Sequence, residues 1–408
     1  MRSKILTYTI AVALSGCGAQ GQSTLPQDRA NVPPAAQSQL EAKDAQYRVI
    51  NLGTLGGPSS GASSINNRGW VAGISSLLGN TKQHATLWRD GAKIDLGTLG
   101  GSNSGVEWPV KNNNGIIAGI SETSTPDPLG EAFSCAAFFP TNGHTCLGFM
   151  WRNGIMTALP TLGGNNDYAT GVNDPGEIVG WAENATHDST CVKPQVLQFE
   201  AVIWGPATGR IRQLPPLRGD LDGAATAINN KGDVVGISGI CDQAVGRFTA
   251  AHAVLWHDDK PMNLGSLGGV SWNTPTAINS QGEVVGFANL PGDQNGAFNP
   301  HAFLWTKGRG MRDLGTLPGD THSQALGIND CGQIVGVSYR KGSSRAFIWQ
   351  KGVMTDLNTL IAPGSSLSLL YANDINGHGE IVGGACVLSA GACTGETPAF
   401  EATPTHKR

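Results

Sequence analysis

One phrase recurs seven times between Tyr47 and Arg408. It is an aliphatic or Ala-rich run ending in Ile-Asn, a polar turn, Gly-x-Val-Val-Gly, a variable stretch, His-Ala-Phe-Leu-Trp, a Gly turn, and Asp-Leu-Gly-Thr-Leu-Gly-Gly. The clearest copy holds Ala277-Ile278-Asn279, Gly282 to Gly286, His301-Ala302-Phe303-Leu304-Trp305 and Asp313-Leu314-Gly315-Thr316-Leu317. The turn glycines Gly69, Gly115, Gly176, Gly232, Gly282, Gly332 and Gly379 mark the copies, and a period of roughly 45 to 60 residues belongs to a propeller or solenoid array. Repetition also supplies an internal comparison. What every copy keeps is a structural requirement, and what one copy alone changes is a candidate for function.

Each copy reads as four short strands, here a to d, rich in Val, Ile, Phe and Trp and bounded by Asn, Asp, Gly and Ser, the signature of strands joined by hairpins. Asn229-Asn230-Lys231-Gly232 suits a tight a–b hairpin, because Asn and Gly tolerate positive φ. No stretch beyond residue 20 sustains the 3.6-residue period of a helix. A four-stranded sheet that is apolar on both faces must stack against neighbours, and radial stacking leaves only short edges. The ends indicate how the ring closes. Tyr47 to Gly57 is a strand d with no a, b or c before it, and the last copy has a, b and c with no d after it. The expected fold is therefore all-β: a seven-bladed propeller over residues 47–402, with the N-terminal strand completing the last blade and a tail at 403–408.

Residues 1–17 read as an export signal. Arg2 and Lys4 precede an apolar run from Ile5 to Ala13, too short to span a bilayer. Leu14-Ser15-Gly16-Cys17 resembles the bacterial lipobox, which implies acylation of Cys17, a membrane attachment through that lipid, and sorting to the outer membrane if the source is Gram-negative. Residues 18–46, rich in Gln, Ala, Ser and Pro, have little to bury and read as a flexible tether. A net charge of −4 with 14% charged residues argues against a nucleic-acid surface, which needs clustered Lys and Arg.

In an oxidising compartment the cysteines suggest pairs. Cys135 and Cys146 share one b–c insertion, Cys386 and Cys393 share another, and Cys191 and Cys241 lie in the b–c loops of adjacent blades. Cys331, in an a–b turn, is left over and is expected as an unpaired thiol.

At His301-Ala302-Phe303 the phrase resembles the HAF repeat of bacterial extracellular proteins, with His84-Ala85, His252-Ala253 and Arg345-Ala346-Phe347 as variants. Leu147-Gly148-Phe149 and Pro398-Ala399-Phe400 depart further. The resemblance covers nearly all of residues 47–402. It implies an exported repeat protein and carries over no catalytic residue.

No nucleophile elbow, His-Glu-x-x-His or phosphate loop is present. The Asp374-to-Gly379 loop lacks the clustered carboxylates of a calcium site, and the strand-c histidines His84, His252 and His301 belong to blades too far apart to share zinc. Neither a metal nor a cofactor is expected. The six recurring tryptophans (Trp88, Trp151, Trp204, Trp256, Trp305, Trp349) occupy one structural position and read as packing.

The off-pattern residues differ. Trp108 replaces a recurring Ala, Tyr168 and Tyr371 precede that Ala in their copies, and Trp272 lies just before a strand a. Glu107, Asp167, Asp222 and His322 fall within the same few positions, and Lys111 is the only charge at a position otherwise Ile or Val. All nine belong to d–a connections, so they are expected to gather at one channel mouth. There they share a face with the variable b–c loops, the longest of which runs from Glu122 to Thr145. Variable loops on a rigid scaffold are where binding resides.

Three readings are open at this level. The leading one is a lipid-anchored, extracytoplasmic scaffold that binds a glycan or peptide on the b–c/d–a face, through stacking and hydrogen bonding. The second is a glycan hydrolase or lyase using Glu107, Asp167 and Asp222 as paired carboxylates. The third is a structural envelope protein.

Overall fold

The computed structural model describes residues 46–405 apart from 132–134, 136–138, 140–142, 207–208, 243–247 and 295. The signal, the lipobox at Cys17 and all of the tether but Gln46 lie outside the described residues. The chain opens with β1 (Tyr47–Asn51), and blade 1 follows as β2 (Gly56–Ile65), β3 (Val71–Leu77), β4 (Gln83–Arg89) and β5 (Ala92–Asp95). Blade 2 is β6 (Gly100–Gly105), β7 (Ile116–Pro126), β8 (His144–Arg152) and β9 (Ile155–Ala158). Blade 3 is β10 (Gly163–Val172), β11 (Ile178–His187), β12 (Leu197–Trp204) and β13 (Ile211–Gln213). Blade 4 is β14 (Asp222–Ile228), β15 (Val234–Gly239), β16 (His252–His257) and β17 (Lys260–Asn263). Blade 5 is β18 (Thr274–Ile278), β19 (Val284–Asn289), β20 (Pro300–Thr306) and β21 (Gly310–Asp313). Blade 6 is β22 (His322–Ile328), β23 (Ile334–Arg340), β24 (Ser343–Gln350) and β25 (Val353–Asp356). A 3₁₀ turn at Leu357–Leu360 leads to blade 7: β26 (Leu367–Ile375), β27 (Ile381–Ser389), the small β28 (Ala392–Cys393) and β29 (Ala399–Pro404).

Every sheet is antiparallel in chain order, and the a strands of blades 3 to 7 and blade 1 touch in succession around the axis. Blade 7 runs β26-β27-β29-β1, so the N-terminal strand supplies its d strand, in register from Tyr47↔Pro404 to Asn51↔Phe400. Strand β29 continues to Pro404, two residues past the boundary expected from the sequence. The a strands also begin earlier than the sequence suggests. Gly57 and Gly164, which read as loop glycines, lie in strand a so close to strand b that a Cβ would overlap Ser76 or Glu183.

The second glycine of Gly-x-Val-Val-Gly has the same kind of cause. Each strand a after blade 2 carries a bulge, for example between Ala225 and Ala227 and between Pro275 and Ala277. The bulge brings its backbone onto strand b, so that a Cβ at Gly236 or Gly286 would overlap the carbonyl oxygen of Ala224 or Thr274.

The core lies between blades, as stacking requires. Leu255 and Leu264 of blade 4 meet Ile278, Val284, Phe303 and Trp305 of blade 5 in one buried cluster. Ala277, Val285 and Ala302 of blade 5 meet Ile334, Phe347 and Trp349 of blade 6 in the next. The six recurring tryptophans are all buried, and Trp204 and Trp256 each donate Nε1–H to a backbone carbonyl, of Pro160 and Pro215. The histidines of strand c are each engaged by a carboxylate of their own. His84 and His301 each contact the Asp that ends strand d of their own blade, Asp95 and Asp313 at 2.9 Å, and His252 contacts Asp220 at 2.8 Å.

The Ile-Asn of each repeat forms a closed ring of hydrogen bonds. Asn66 donates its side-chain amide to the Asn112 carbonyl, Asn112 to Asn173, Asn173 to Asn229 and Asn229 to Asn279. Asn279 then donates to Asn329, Asn329 to Asn376 and Asn376 back to Asn66, all at 2.7 to 3.3 Å. Meanwhile each Oδ1 accepts backbone N–H groups from its own a–b turn, as Asn229 does from Lys231 and Asp233. All seven side chains are buried.

The three expected disulfides, Cys135–Cys146, Cys191–Cys241 and Cys386–Cys393, are present. The expectation for Cys331 is corrected: no described cysteine is a free thiol, Cys331 included.

Replacing one ring asparagine tests the closure. Asn229→Ala strips the partners from two turn N–H groups and from the Asn279 carbonyl, so a loss of about 2–4 kcal/mol is expected. Urea unfolding of the variant measures it, and a loss below about 1 kcal/mol would mean that the ring does not hold the blades together.

Candidate functional site

Blade 2 breaks the pattern of the inner strands. Strand β6 pairs with β7 only as far as Gly105↔Ile120, and the chain then leaves the ladder through Val106-Glu107-Trp108-Pro109-Val110-Lys111. Pro109 has no N–H to give to a ladder. In place of sheet pairing, the Ser64 hydroxyl of blade 1 donates to the Val110 carbonyl and accepts the Val110 N–H, both at 2.9 Å. The segment rejoins the pattern at Asn112.

This loop divides the expected site between the two ends of the channel. Its first half faces the variable-loop side. Glu107 is half-buried, with Oε1 crowded against Gly105 beside Ile74 and Phe139. Burial pushes its carboxyl up from 4.5 to about 7. Its charge in turn helps to push up the phenols of Tyr168 and Tyr371, for both of which burial is the larger cause. Trp108 packs with Ile74 against the buried cluster of Tyr168, Trp181 and Phe199. Glu107, Trp108, Tyr168 and Tyr371, from blades 2, 3 and 7, therefore lie near one another, with Tyr168 itself buried between blades.

Lys111 does not join them. It lies at the opposite mouth, among the Ile-Asn positions and the a–b turns, where a cavity of about 110 Å³ opens. Its ammonium crosses the channel to the carbonyls of Ile328 at 2.6 Å and Ile375 at 3.1 Å and to the Asp374 carboxylate at 2.9 Å. Asp374 stands one position before the consensus Ile, where the other copies have Ser, Val, Gly or Ala. It is wholly buried and also accepts the N–H of Ile65 and of Ile375. Burial raises its pKa, and Lys111 and these N–H groups pull it part of the way back. The two off-pattern charges neutralise each other across the axis.

Asp167 and Asp222 are likewise away from any open surface. Both are fully buried between blades. Asp167 accepts the Gly148 N–H of blade 2, the bond that Ser323 makes to Ala302 and Ser60 to Ala399 in other copies. Asp222 accepts the Phe199 N–H of blade 3 at 3.0 Å and lies near Asp188. Burial, with the Asp188 carboxylate adding to it, pushes Asp222 up to about 8.

Trp272 and His322, at the starts of the inner strands of blades 5 and 6, each have aromatic partners of their own. Trp272 takes a left-handed φ of 57°, rare for a bulky residue. Its ring meets Phe298 edge-on at 4.8 Å, and Phe298 meets Phe287 in turn. The Trp272 Nε1 has no acceptor among the described residues. His322 stacks on Tyr339 at 5.2 Å, and burial, with His301 nearby, holds its pKa below the ordinary histidine range.

Sequence reasoning passed over a group of buried acids beside the long b–c insertion. Glu183 accepts from Asn165, Asn166 and Gln195, and its carboxyl is pushed up to about 8, mainly by burial. Glu131 accepts the Val196 and Leu197 N–H groups. Glu122 fixes the Gly-Gly bend of blade 2 through Ser102 and Asn103, as Glu183 does in blade 3. The signal available was the pairing of Asn103 with Glu122 and of Asn166 with Glu183 at equivalent places in two adjacent repeats. Among the described residues, no three His, Cys, Asp or Glu side chains come together as a metal site.

No protein-family model matches the chain, and no curated protein matches it. Solved structures do. The acylaminoacyl peptidase of Pyrococcus horikoshii is similar over 83% of this chain and 52% of its own, at 12% identity and a TM-score of 0.48, so this chain spans about half that peptidase. The β-propeller domain of the trilobed protease from Pyrococcus furiosus is similar over 84% and 93%, at 11% identity and 0.47. TolB from Acinetobacter baumannii is similar over 72% and 64%, at 12% identity and 0.39. These likenesses concern the propeller fold.

Two measurements follow from the charges. Lys111→Met leaves Asp374 buried without its cation, and a loss of about 3 kcal/mol is expected. Adding Asp374→Asn should recover part of that loss, and a double variant no more stable than the single one would mean that the pair is not coupled. The second concerns pH. The folded chain keeps protons on Glu107 and Glu183 that the unfolded chain releases near 4.5, so stability should fall as pH rises from about 4.5 to 8. Glu107→Gln should flatten the part of the slope that ends near 7, read from urea midpoints across that range.

Proposed function

We propose that this chain is an exported, lipid-anchored binding scaffold whose ligand docks on the b–c/d–a face of the propeller. The observation that carries this reading is the distribution of apolar surface. Of the twelve exposed large apolar side chains among the described residues, eight lie on that face: Leu78, Leu129, Val192, Leu221, Ile240, Phe248, Val270 and Phe298. A surface of this kind on one side of a rigid ring is the mark of an interaction site. The opposite face carries uniformly tight a–b turns bound into the asparagine ring, which leaves little room for variation.

Export is supported by the signal-like N-terminus and by three disulfides, which persist in oxidising compartments. The attachment is supported by the lipobox-like Leu14-Ser15-Gly16-Cys17. Tyr47 pairs with Pro404, at the c–d end of strand c, so the tether meets the ring on the short-turn side. A lipid at Cys17 would hold that side toward the membrane and turn the variable face outward. Paired-carboxylate chemistry finds less support, because Glu107 stands at the mouth while Asp167 and Asp222 are enclosed between blades.

The test is capture by the chain from residue 18 on arrays of glycans, peptidoglycan fragments and peptides. Binding is expected, weakened by Trp108→Ala or Trp272→Ala with little change in the unfolding midpoint. Absence of binding on every array, or binding untouched by any substitution on the b–c/d–a face, would sink the reading.

A further inference from the structure

The exposed apolar residues of blades 3 to 5 lie on loops that are bonded to one another. The Leu221 N–H binds the Gly239 carbonyl beside Ile240, and the Ile240 N–H binds the Phe248 carbonyl. The Val192 N–H binds the Asp242 carbonyl, next to the Cys191–Cys241 disulfide that ties the two b–c loops together. Asn273 binds Ala250 through its backbone and Ala251 through its side chain, which holds Trp272 and Val270 against the blade 4 loop. Trp272 then meets Phe298. Val270 and Phe298 are 51% and 41% exposed, the others comparably. The described parts of these loops are joined by hydrogen bonds and a covalent link, so holding these apolar groups in water is a built feature and binding would order little of them further.

The chemistry of the patch points to its occupant. Val192, Leu221, Ile240 and Val270 are aliphatic, and Trp272 is packed edge-on by Phe298 and only partly exposed. The exposed aromatics are two phenylalanines, Phe248 and Phe298, set among these aliphatic groups, a mixture that suits the aliphatic and aromatic side chains of a polypeptide. The nearby acids are already engaged: Asp220 with His252 and Ser238, Asp293 with Val270 and Ser271, Asp242 with Phe248. Among the described residues of these loops, the Lys and Arg side chains Lys193 and Arg218 are exposed, whereas the acids Asp188, Asp220, Asp242 and Asp293 are partly or wholly buried. Resting on the binding-scaffold reading above, we infer that the loops of blades 3 to 5 dock a polypeptide segment of apolar side chains flanked by carboxylates.

The experiment uses the chain from residue 18 and two labelled peptides sharing one Val-Leu-Phe-Val core, one flanked by Asp and one by Lys, read by fluorescence polarisation. The Asp-flanked peptide is expected to bind at least tenfold more tightly. Val270→Ser with Phe298→Ser should weaken it tenfold or more, and Lys193→Glu with Arg218→Glu should reverse the preference. Val353→Ser, an exposed apolar residue on the opposite face, should change nothing. Equal binding of the two peptides, or indifference to the patch variants, overturns the inference. Glycan capture on this face that survives the patch variants, with neither peptide bound, overturns it while leaving the scaffold reading standing. No binding of any glycan or peptide overturns both. Self-association in ultracentrifugation, abolished by Val270→Ser with Phe298→Ser, would assign the patch to a second copy and also overturn it.

Discussion

The ring of seven asparagines is the constraint on which the rest of the molecule depends. Each side chain serves two structures at once. Its oxygen closes the a–b turn of its own blade, and its amide hydrogen-bonds the carbonyl of the next blade's asparagine. Neither function tolerates a substitute easily, since an aspartate lacks the donor and a serine lacks the reach. Buried amides left without partners cost more than the bonds contribute, so all seven positions are held together. The a–b turns can therefore neither lengthen nor drift, and variation is confined to the other end of each blade.

Beside this ring the channel accommodates departures only in compensating sets. A lysine at the Ile/Val position would be an unpaired cation near the axis, and an aspartate at the preceding small-residue position would be a buried unpaired anion. Lys111 and Asp374 are both present, on blades that do not adjoin, and they meet across the channel. The meeting is possible because Pro109 takes blade 2 out of its ladder just before Lys111. The same break carries Glu107 and Trp108 to the other mouth, so one local irregularity shapes both ends of the channel.

Much of the fold was legible in the sequence because repetition turns one chain into seven comparisons. Strand order, the closing strand at Tyr47 and the disulfide pairs all came from position within the repeat. The candidate site was less legible, for physical reasons. Being off-pattern marks a residue as unusual without saying which way it points along the axis, and Lys111 pointed toward the turns. It also does not separate a new function from an old structural function carried by another residue type. Asp167 makes the inter-blade bond that serine makes elsewhere, with Gly148 in place of alanine to make room for its carboxyl. The acids Glu122, Glu131 and Glu183 were missed because their partners lie partly in an insertion that has no counterpart in the other repeats.

What remains variable is variable in a restrained way. The described parts of the long loops on the b–c/d–a face are tied to the ring and to one another. Cys135–Cys146 ties the first insertion, Cys191–Cys241 links blade 3 to blade 4, and buried carboxylates accept the N–H groups that the loops would otherwise leave unsatisfied. Burial pushes the carboxyls of Glu183 and Asp222, beside these loops, up to about 8, a cost in stability that loops serving only as connections would not require. Apolar side chains are nonetheless held outward on the same loops, where collapse onto the ring would have hidden them. Cross-tied loops, internal acids and outward apolar groups together describe a surface prepared for contact before any partner arrives, supported by a ring whose other face is fixed by its asparagines.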